Sequence, residues 1–157
     1  MDMKENSIIN PLPTDELLDE KERKWRITLP QSYKTFIKQN SGGIPLESQF
    51  LCNGHNYAID RFLCILKITG ESELEWYDIG ATMSQLDERI IDDEDLVGVE
   101  ILPIAVLFAG DFVCLDYRSN KDEPSVCVWS HEESGEFAPV TYQVANNFAE
   151  FLEMLGE

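Results

Sequence analysis

The sequence predicts an α+β fold, in which a central, mostly antiparallel sheet carries helices from the N- and C-terminal parts of the chain. The first observation is the stretch 107–131, where two runs alternate with a period of two, the pitch of half-buried strands, around a polar bend. The second is that residues with helical spacing lie before and after the strand-forming runs. The third is that the chain shows no internal repeat and no low-complexity linker.

Two helices are predicted near the start of the chain. Thr14 can cap a helix over about 15–25, in which acidic residues come first and basic residues last, as the helix dipole favours. A second helix follows Leu29-Pro30, because proline suits the first helical position. Its end is predicted at Gly42-Gly43, which can supply a left-handed residue. Its apolar face would carry Tyr33, Phe36 and Ile37.

The strands are predicted between these helices and a last helix. The tight-turn pair Asn53-Gly54 separates two short runs, and the continuous apolar run from Phe62 to Ile68 predicts a central strand. A short helix is expected from about Met83 to Ile91. The other predicted elements are strands over about 49–52, 56–59, 102–108 and 140–144 and a helix over about 145–155.

Length and hydropathy predict one domain preceded by a short arm. The chain has 157 residues, and residues 1–13 are polar with two prolines, so we expect a flexible N-terminal arm and a single domain over 14–157. The N-terminus lacks the apolar core of a signal peptide, and no apolar run approaches the ~20 residues that span a bilayer. We therefore expect a cytoplasmic protein.

The charge of the chain restricts its partners. Twelve Lys and Arg residues against 30 Asp and Glu residues give a formal net charge of −18. Nucleic acid and anionic membranes are disfavoured as ligands, because each phosphate contact calls for a cation. A basic protein is the natural complement, although a strong net charge can also serve solubility alone. An exposed strand edge could pair two copies, so both a monomer and a homodimer stay open.

The cysteines and histidines give little support for a metal or another cofactor. The four cysteines show no Cys-x-x-Cys spacing, and three of them lie in apolar runs, as small buried hydrophobes do. His55 follows Cys52 by three residues and His131 follows Cys127 by four, but these pairs lack the compact spacing of zinc modules. We therefore predict no metal, no cofactor and no disulfide.

Most catalytic signatures are absent from the sequence. It contains no nucleophile elbow, no phosphate-binding glycine loop and no His-Glu-x-x-His motif. Asp111 follows a glycine at the entry to a predicted strand, where hydrogen bonding within the turn is its expected role. A small hydrolase would need His55 or His131 beside a nucleophile or a metal. We therefore predict a protein that is not an enzyme.

The segment 71–100 is the most unusual part of the chain, with eleven acidic residues and one base, Arg89. Three interpretations are open: a solvated face, a calcium site, and a face that binds a protein. The calcium interpretation lacks the alternating loop with its central glycine. In the third, acids steer a basic partner and aromatic residues anchor it. The candidate contact residues are Glu73, Glu75, Trp76, Tyr77, Asp78, Asp92, Asp93, Glu94 and Asp95.

Several short motifs, taken in order, resemble one known family. Leu-Pro-x-x-Tyr-Lys-x-Phe precedes Gly-Gly, and Gly-Asp, Asp-Tyr and Trp-x-His follow about seventy residues later. The last helix resembles the family's closing Phe-x-x-Phe-Leu motif. Over roughly 14–155 this order is similar to the SUKH superfamily. The structural motif consists of Leu29, Pro30, Tyr33, Phe36, Gly42, Gly43, Gly110, Asp111, Asp116, Tyr117 and Trp129.

The resemblance implies an α+β fold and a binding function. Most bacterial members are immunity proteins that bind a cognate toxin, frequently a nuclease, and the eukaryotic members would permit a regulatory or scaffold role instead. The family brings no catalytic residues. The chain departs from the pattern at Ala109, where a glycine is common, and at Ser41, which splits the usual Asn-Gly-Gly. These departures leave the subfamily, and therefore the class of toxin, open.

Overall fold

The computed structural model describes residues 1–67, 70 and 72–156. Within them, six strands form one antiparallel sheet whose spatial order follows the chain, with helices at both ends, so the predicted α+β fold is confirmed. The strands are β1 Gln49–Cys52, β2 His55–Phe62, β3 Ile101–Leu107, β4 Phe112–Asp116, β5 Ser125–Trp129 and β6 Thr141–Ala145. The helices are α1 Asp15–Trp25, α2 Gln31–Asn40, α3 Ile79–Leu86 and α4 Phe148–Met154, with 3₁₀ helices at Glu73–Tyr77, Asp87–Arg89 and Phe108–Gly110.

The first two helices form where the sequence predicts them. The Thr14 side chain accepts a hydrogen bond from the Leu17 N–H at 3.1 Å, which is the expected cap of α1. Pro30 occupies the cap position of α2, one residue before the helix begins. Gly42 follows this helix with φ of 72°, the left-handed backbone that glycine adopts without strain.

The hairpin of β4 and β5 is buried more deeply than its alternation predicts. Alternation is typical of strands with one wet face, but here both faces are covered. One face packs into the main core, which includes Val113 and Val128. The other face forms a second cluster in which Cys114, Cys127 and Trp129 pack against Leu86, Ile90 and Ile101. The end of α3 and the turn after it therefore cover a face that the sequence pattern leaves to solvent.

Three predicted boundaries are wrong. Strand β2 ends at Phe62, whereas the apolar pattern predicts a central strand that begins there. The apolar run after Phe62 stays buried but lies outside the ladder. Ile68, the predicted end of that central strand, lies outside the described residues. Helix α3 begins at Ile79, four residues before the prediction, because the side chain of Asp78 caps it. The chain over 145–147 completes β6 and caps α4 at Asn147, so α4 begins only at Phe148.

The N-terminal residues 1–13, expected as a flexible arm, pack against the domain. Ile9 is 2% exposed, and its N–H donates to the Ser41 carbonyl at 2.8 Å. The Arg61 guanidinium donates to the Ser7 carbonyl at 2.7 Å. Isolated apolar residues in this polar stretch, together with a cation supplied by β2, therefore hold the segment in place.

The first and last strands of the sheet lie close to each other. The Cys52 Sγ on β1 is 3.6 Å from the Gln143 carbonyl oxygen on β6. Gln49 exchanges two backbone hydrogen bonds with Gly156, each of 2.9 Å, so that the C-terminal residues cover part of the β1 edge. The sheet thus curls towards closure, which reduces the exposed edge that pairing of two copies would use.

Candidate protein-interaction site

The 3₁₀ helix Glu73–Tyr77 presents apolar side chains to solvent on a well-anchored backbone. The Ser72 hydroxyl accepts from the Leu74 N–H at 3.2 Å, and the Cys64 N–H donates to the Tyr77 carbonyl at 2.9 Å. Leu74 is 44% exposed and Trp76 is 64% exposed. We call Glu73, Leu74 and Trp76 the Trp76 patch. An exposed tryptophan on a fixed backbone is the kind of group that anchors protein interfaces.

Tyr77, a predicted contact residue, supports this patch from within. It is half-buried and packs against the hydrophobic core. The Arg61 guanidinium lies 4.8 Å from the centre of its ring and donates to the Gly42 carbonyl at 2.8 Å. Glu75 is also half-buried, and its carboxylate accepts from the Gly70 N–H at 2.9 Å. Both residues shape the turn that displays the Trp76 patch.

Asp78 is not available to a partner, which corrects its place among the predicted contact residues. Asp78 is buried, with only 2% of its surface exposed. One carboxylate oxygen accepts from the Leu66 N–H at 2.9 Å and the other from the Ala81 N–H at 3.1 Å. Asp78 therefore joins the segment after β2 to the start of α3, and its negative charge is used within the fold.

The other predicted acids, Asp92, Asp93, Glu94 and Asp95, are all exposed. The Asp93 carboxylate accepts from the Asp95 N–H at 2.9 Å, which forms a local turn. In the described part of the chain, five ion pairs form, and none includes these four acids. Their negative charge therefore faces solvent, although the charge of Asp92 also helps to raise the pKa of Arg118.

A further acid, Glu136, joins this surface from a distant loop. The Phe137 N–H donates to the Glu88 carbonyl at 2.7 Å, which places Glu136 beside Glu88. The hydrogen bond between the two carboxyl groups raises the pKa of Glu88, and the charges of Glu136, Asp87 and Glu94 raise it further. We call Asp87, Glu88, Asp92, Asp93, Glu94, Asp95 and Glu136 the acidic patch.

The structure divides the predicted partner face into two parts. The Trp76 patch lies beside Arg61 and the N-terminal segment. The acidic patch precedes Val99, whose N–H donates to the Trp25 carbonyl at 2.8 Å at the far end of α1. Sequence reasoning missed Glu136, because it lies about forty residues from the other acids and only the fold brings it to Glu88.

The residues of the predicted structural motif mostly stabilise the fold. Asp111 Oδ1 lies 2.6 Å from His131 Nδ1 and accepts from the His131 N–H at 2.9 Å. The Asp116 carboxylate binds the Arg118 guanidinium through two oxygens, and this hydrogen bonding raises the pKa of Arg118. Buried motif residues are Leu29, Tyr33, Phe36, Gly42, Gly43, Tyr117 and Trp129, while Pro30 is half-buried and Gly110 is exposed.

The histidines and cysteines are the remaining side chains that could carry catalysis or bind a metal. The His131 ring hydrogen-bonds to Asp111 through Nδ1, and His55 lies exposed at the β1–β2 turn. Across the described residues, no three His, Cys, Asp or Glu side chains are placed to hold a metal ion. The four cysteines are buried and free, and burial raises the pKa of the Cys64 thiol to about 12. No described helix has the length and apolar character needed to cross a membrane.

Comparisons with known proteins identify the family of the chain. A family model described as SUKH_6, SMI1-KNR4 cell-wall, matches residues 15–152, which include α1 to α3, the whole sheet and most of α4. Searches of curated proteins and of solved structures give no match. The family model covers most of the chain, so the resemblance to the SUKH superfamily that the sequence motifs indicate is confirmed. The chain belongs to the SUKH_6 family of SMI1-KNR4 cell-wall type, within the SUKH superfamily.

Proposed function

We propose that this protein is a non-enzymatic immunity protein, which binds a cognate bacterial toxin and neutralises it in the cytoplasm of the producing cell. Membership of the SUKH superfamily is consistent with this role. The toxin in this proposal is a basic protein domain, and a nuclease is the favoured class. Nucleases that bind phosphate backbones carry basic surfaces, which a chain of net charge −18 would attract.

The observation that carries the proposal is the acidic patch. Its carboxylates are exposed, and hydrogen bonding to Glu136 and the negative charges around it raise the pKa of Glu88. Such an arrangement becomes more favourable when a cation approaches, because the cation relieves the repulsion between the carboxylates. Lys and Arg side chains of a partner would supply that cation.

The two patches would contribute to binding in different ways. Exposed charges accelerate the encounter of oppositely charged proteins and make it sensitive to salt, but contribute modestly to the final affinity. A tryptophan that becomes fully covered contributes to the lifetime of the complex. We therefore assign steering to the acidic patch and anchoring to the Trp76 patch.

The proposal is tested by reversing charge in the acidic patch. Asp92, Asp93, Glu94 and Asp95 are changed together to Lys in a strain that also expresses the product of the adjacent gene. We expect loss of growth rescue, a slower association rate between the purified proteins, and a weaker dependence of that rate on salt.

A matched control separates position from net charge. Changing Glu20, Glu47, Asp122 and Glu153 to Lys alters the net charge by the same amount at exposed sites elsewhere. The association rate of this control variant should fall only by the part that depends on the net charge of the protein. If the two sets slow association equally, the acidic patch is not the contact surface. If neither affects binding or rescue, the proposal is wrong.

A second candidate is a regulatory or scaffold domain without a toxin partner. The description of the matched family, SMI1-KNR4 cell-wall, favours this candidate. The neighbouring gene separates the two: a large protein with a toxic C-terminal domain supports immunity, whereas a gene that is harmless when expressed alone supports the scaffold role. Co-purification with a protein that is not toxic would also support the scaffold role.

A further inference from the structure

An apolar cleft of about 520 Å³ lies between the N-terminal segment and the 3₁₀ helix that carries the Trp76 patch. One wall is formed by Pro11 and Leu12 from the segment expected as a free arm. The other walls come from the first turns of α1, the buried chain after β2, and Leu74. Its apolar lining residues are Ile9, Pro11, Leu12, Leu17, Ile65, Leu66 and Leu74.

The N-terminal wall is held in place by close packing on two motif glycines. A Cβ atom added to Gly42 would lie 2.5 Å from Ile9 Cδ1, and one added to Gly43 would lie 2.8 Å from Met3 Sδ. At Gly42, whose φ is 72°, only glycine allows the segment to approach this closely, whereas the Met3 side chain could move away from Gly43. Arg61 then fixes it through the hydrogen bond to the Ser7 carbonyl. The cleft is therefore a built feature whose two sides are both anchored.

A second cleft, of about 500 Å³, continues the first on the other side of Leu74, which lines both. It is lined by Trp76 and Tyr77 and by the side chains of Arg61 and Glu73. Leu12, at the first cleft, is 37% exposed. Leu74, which lines both clefts, is 44% exposed, and Trp76, at the second cleft, is 64% exposed. Large exposed apolar side chains are thus gathered here on a rigid support, which lowers the entropic cost of covering them.

The charges around the clefts favour a cationic occupant. Glu16 lies in the first turn of α1, and Glu73 and Glu75 lie in the 3₁₀ helix. Nearby cations are largely engaged: Lys38 pairs with Asp15 at 2.9 Å, and Arg61 donates to two backbone carbonyls. Lys67 lies at the rim of the first cleft. A second copy of this chain would bring another −18 charges and be repelled.

We propose that these two clefts bind a single segment of a partner protein, with two apolar anchor residues flanked by Lys or Arg. One anchor enters the cleft between Leu12 and Leu74, and the second covers Trp76. This inference rests on the proposed function, because it specifies the part of the basic partner that the Trp76 patch would receive. It adds the N-terminal residues 9–12 to the interface, which the sequence alone assigns to a free arm.

The experiment uses the full chain and a displayed library of random peptides as the probe. We expect the selected peptides to be basic and to carry two large apolar residues. Binding should protect the protein from acrylamide quenching of tryptophan fluorescence, which reports on Trp76 because Trp25 and Trp129 are only 4% and 0% exposed. The double variant Leu12→Asp/Leu74→Asp should weaken binding of the selected peptides about tenfold or more.

The double variant Leu46→Asp/Leu51→Asp is the matched control. It changes the same residue type and charge at positions that are 60% and 65% exposed elsewhere on the surface. Its peptide affinity should stay within about twofold of the wild type. The single variant Trp76→Ala provides a second test, because removal of an exposed side chain should leave the fold intact while weakening the peptides.

The inference would be overturned by selection of peptides without basic residues or apolar anchors, by equal loss in both double variants, or by no loss in either. Sedimentation showing a wild-type dimer that Leu74→Asp dissociates would also overturn it, by assigning the clefts to a second copy. Growth rescue by the Leu12/Leu74 variant separates this inference from the proposed function. Full rescue without peptide binding refutes the clefts alone, whereas peptide binding without any toxic neighbour refutes the immunity proposal alone.

Discussion

The acidic residues at the ends of the β4–β5 hairpin are paired within the fold, whereas most of those in the segment 72–95 face solvent. In the hairpin, Asp111 lies against His131 and Asp116 binds Arg118. In the segment, Asp92 and its neighbours face solvent and form none of the recorded ion pairs of the described residues. An acid in an internal ion pair stabilises this fold, whereas a group of exposed acids without ion pairs is a surface that a basic partner can use.

The tryptophans of the two regions give the largest contrast. Trp129 is fully buried, its Nε1–H donates to the Arg89 carbonyl at 3.0 Å, and the Arg89 guanidinium lies 5.2 Å from the centre of its ring. We expect Trp129→Ala to lower the free energy of unfolding by about 3–5 kcal/mol, because it leaves a cavity in the second core cluster. Urea denaturation measures this change.

Trp76→Ala is the matched control, since it removes the same side chain from an exposed site. Its effect on unfolding should stay within about 0.5 kcal/mol. The variant should nevertheless weaken partner binding, which separates an anchoring role from a structural one. A large loss of stability in Trp76→Ala would mean that the two regions are not distinct in the way that their exposure indicates.

The second prediction concerns two acids within the segment itself. Asp78→Ala removes the acceptor of the Leu66 and Ala81 N–H groups. We expect a loss of about 1–3 kcal/mol in the free energy of unfolding, since one of these donors becomes buried without a partner. Glu94→Gln, at an exposed site, should leave stability within about 0.5 kcal/mol. Equal effects in thermal unfolding of the two variants would remove the distinction between a fold-forming acid and a surface acid.

Local signals in the sequence were sufficient for much of the fold. The cap at Thr14 and the acid-to-base order predict α1 correctly, and Asn53-Gly54 correctly locates the turn between β1 and β2. These features act within a few residues, so they are visible in the sequence. The order of the motifs predicted the family, which the match over 15–152 confirms.

What the sequence could not predict depends on contacts between distant residues. Asp78 resembles its acidic neighbours, and only the approach of Leu66 reveals its role as a buried acceptor. The docking of residues 1–13 requires Arg61 and the space above Gly42, which come from other elements. Glu136 joins the acidic patch through a backbone contact with Glu88. In each case tertiary structure brings together groups whose local sequence gives no sign of the contact.

The smallest predicted effect concerns the carboxyl group of Glu88. The hydrogen bond that the protonated Glu88 carboxyl donates to Glu136 raises the pKa of Glu88, so the folded state holds this proton more tightly than the unfolded chain does. The contribution of Glu88 to stability is therefore present at low pH and is lost as pH rises through its folded pKa. Glu136→Gln should move the pKa of Glu88 down towards its ordinary value, as measured by NMR titration of the side-chain carboxyl carbon.

The exposed acid Glu153, changed to Gln, serves as the control and should leave the pKa of Glu88 unchanged. A bound basic partner should lower the same pKa, because its cation favours the ionised form. Binding should then weaken as the pH falls through the pKa of Glu88, and the dependence should be smaller in Glu136→Gln. An unchanged pKa in Glu136→Gln would mean that the two carboxyl groups do not meet in solution. The acidic patch would then be a set of separate charges, each of which repels its neighbours only weakly through water.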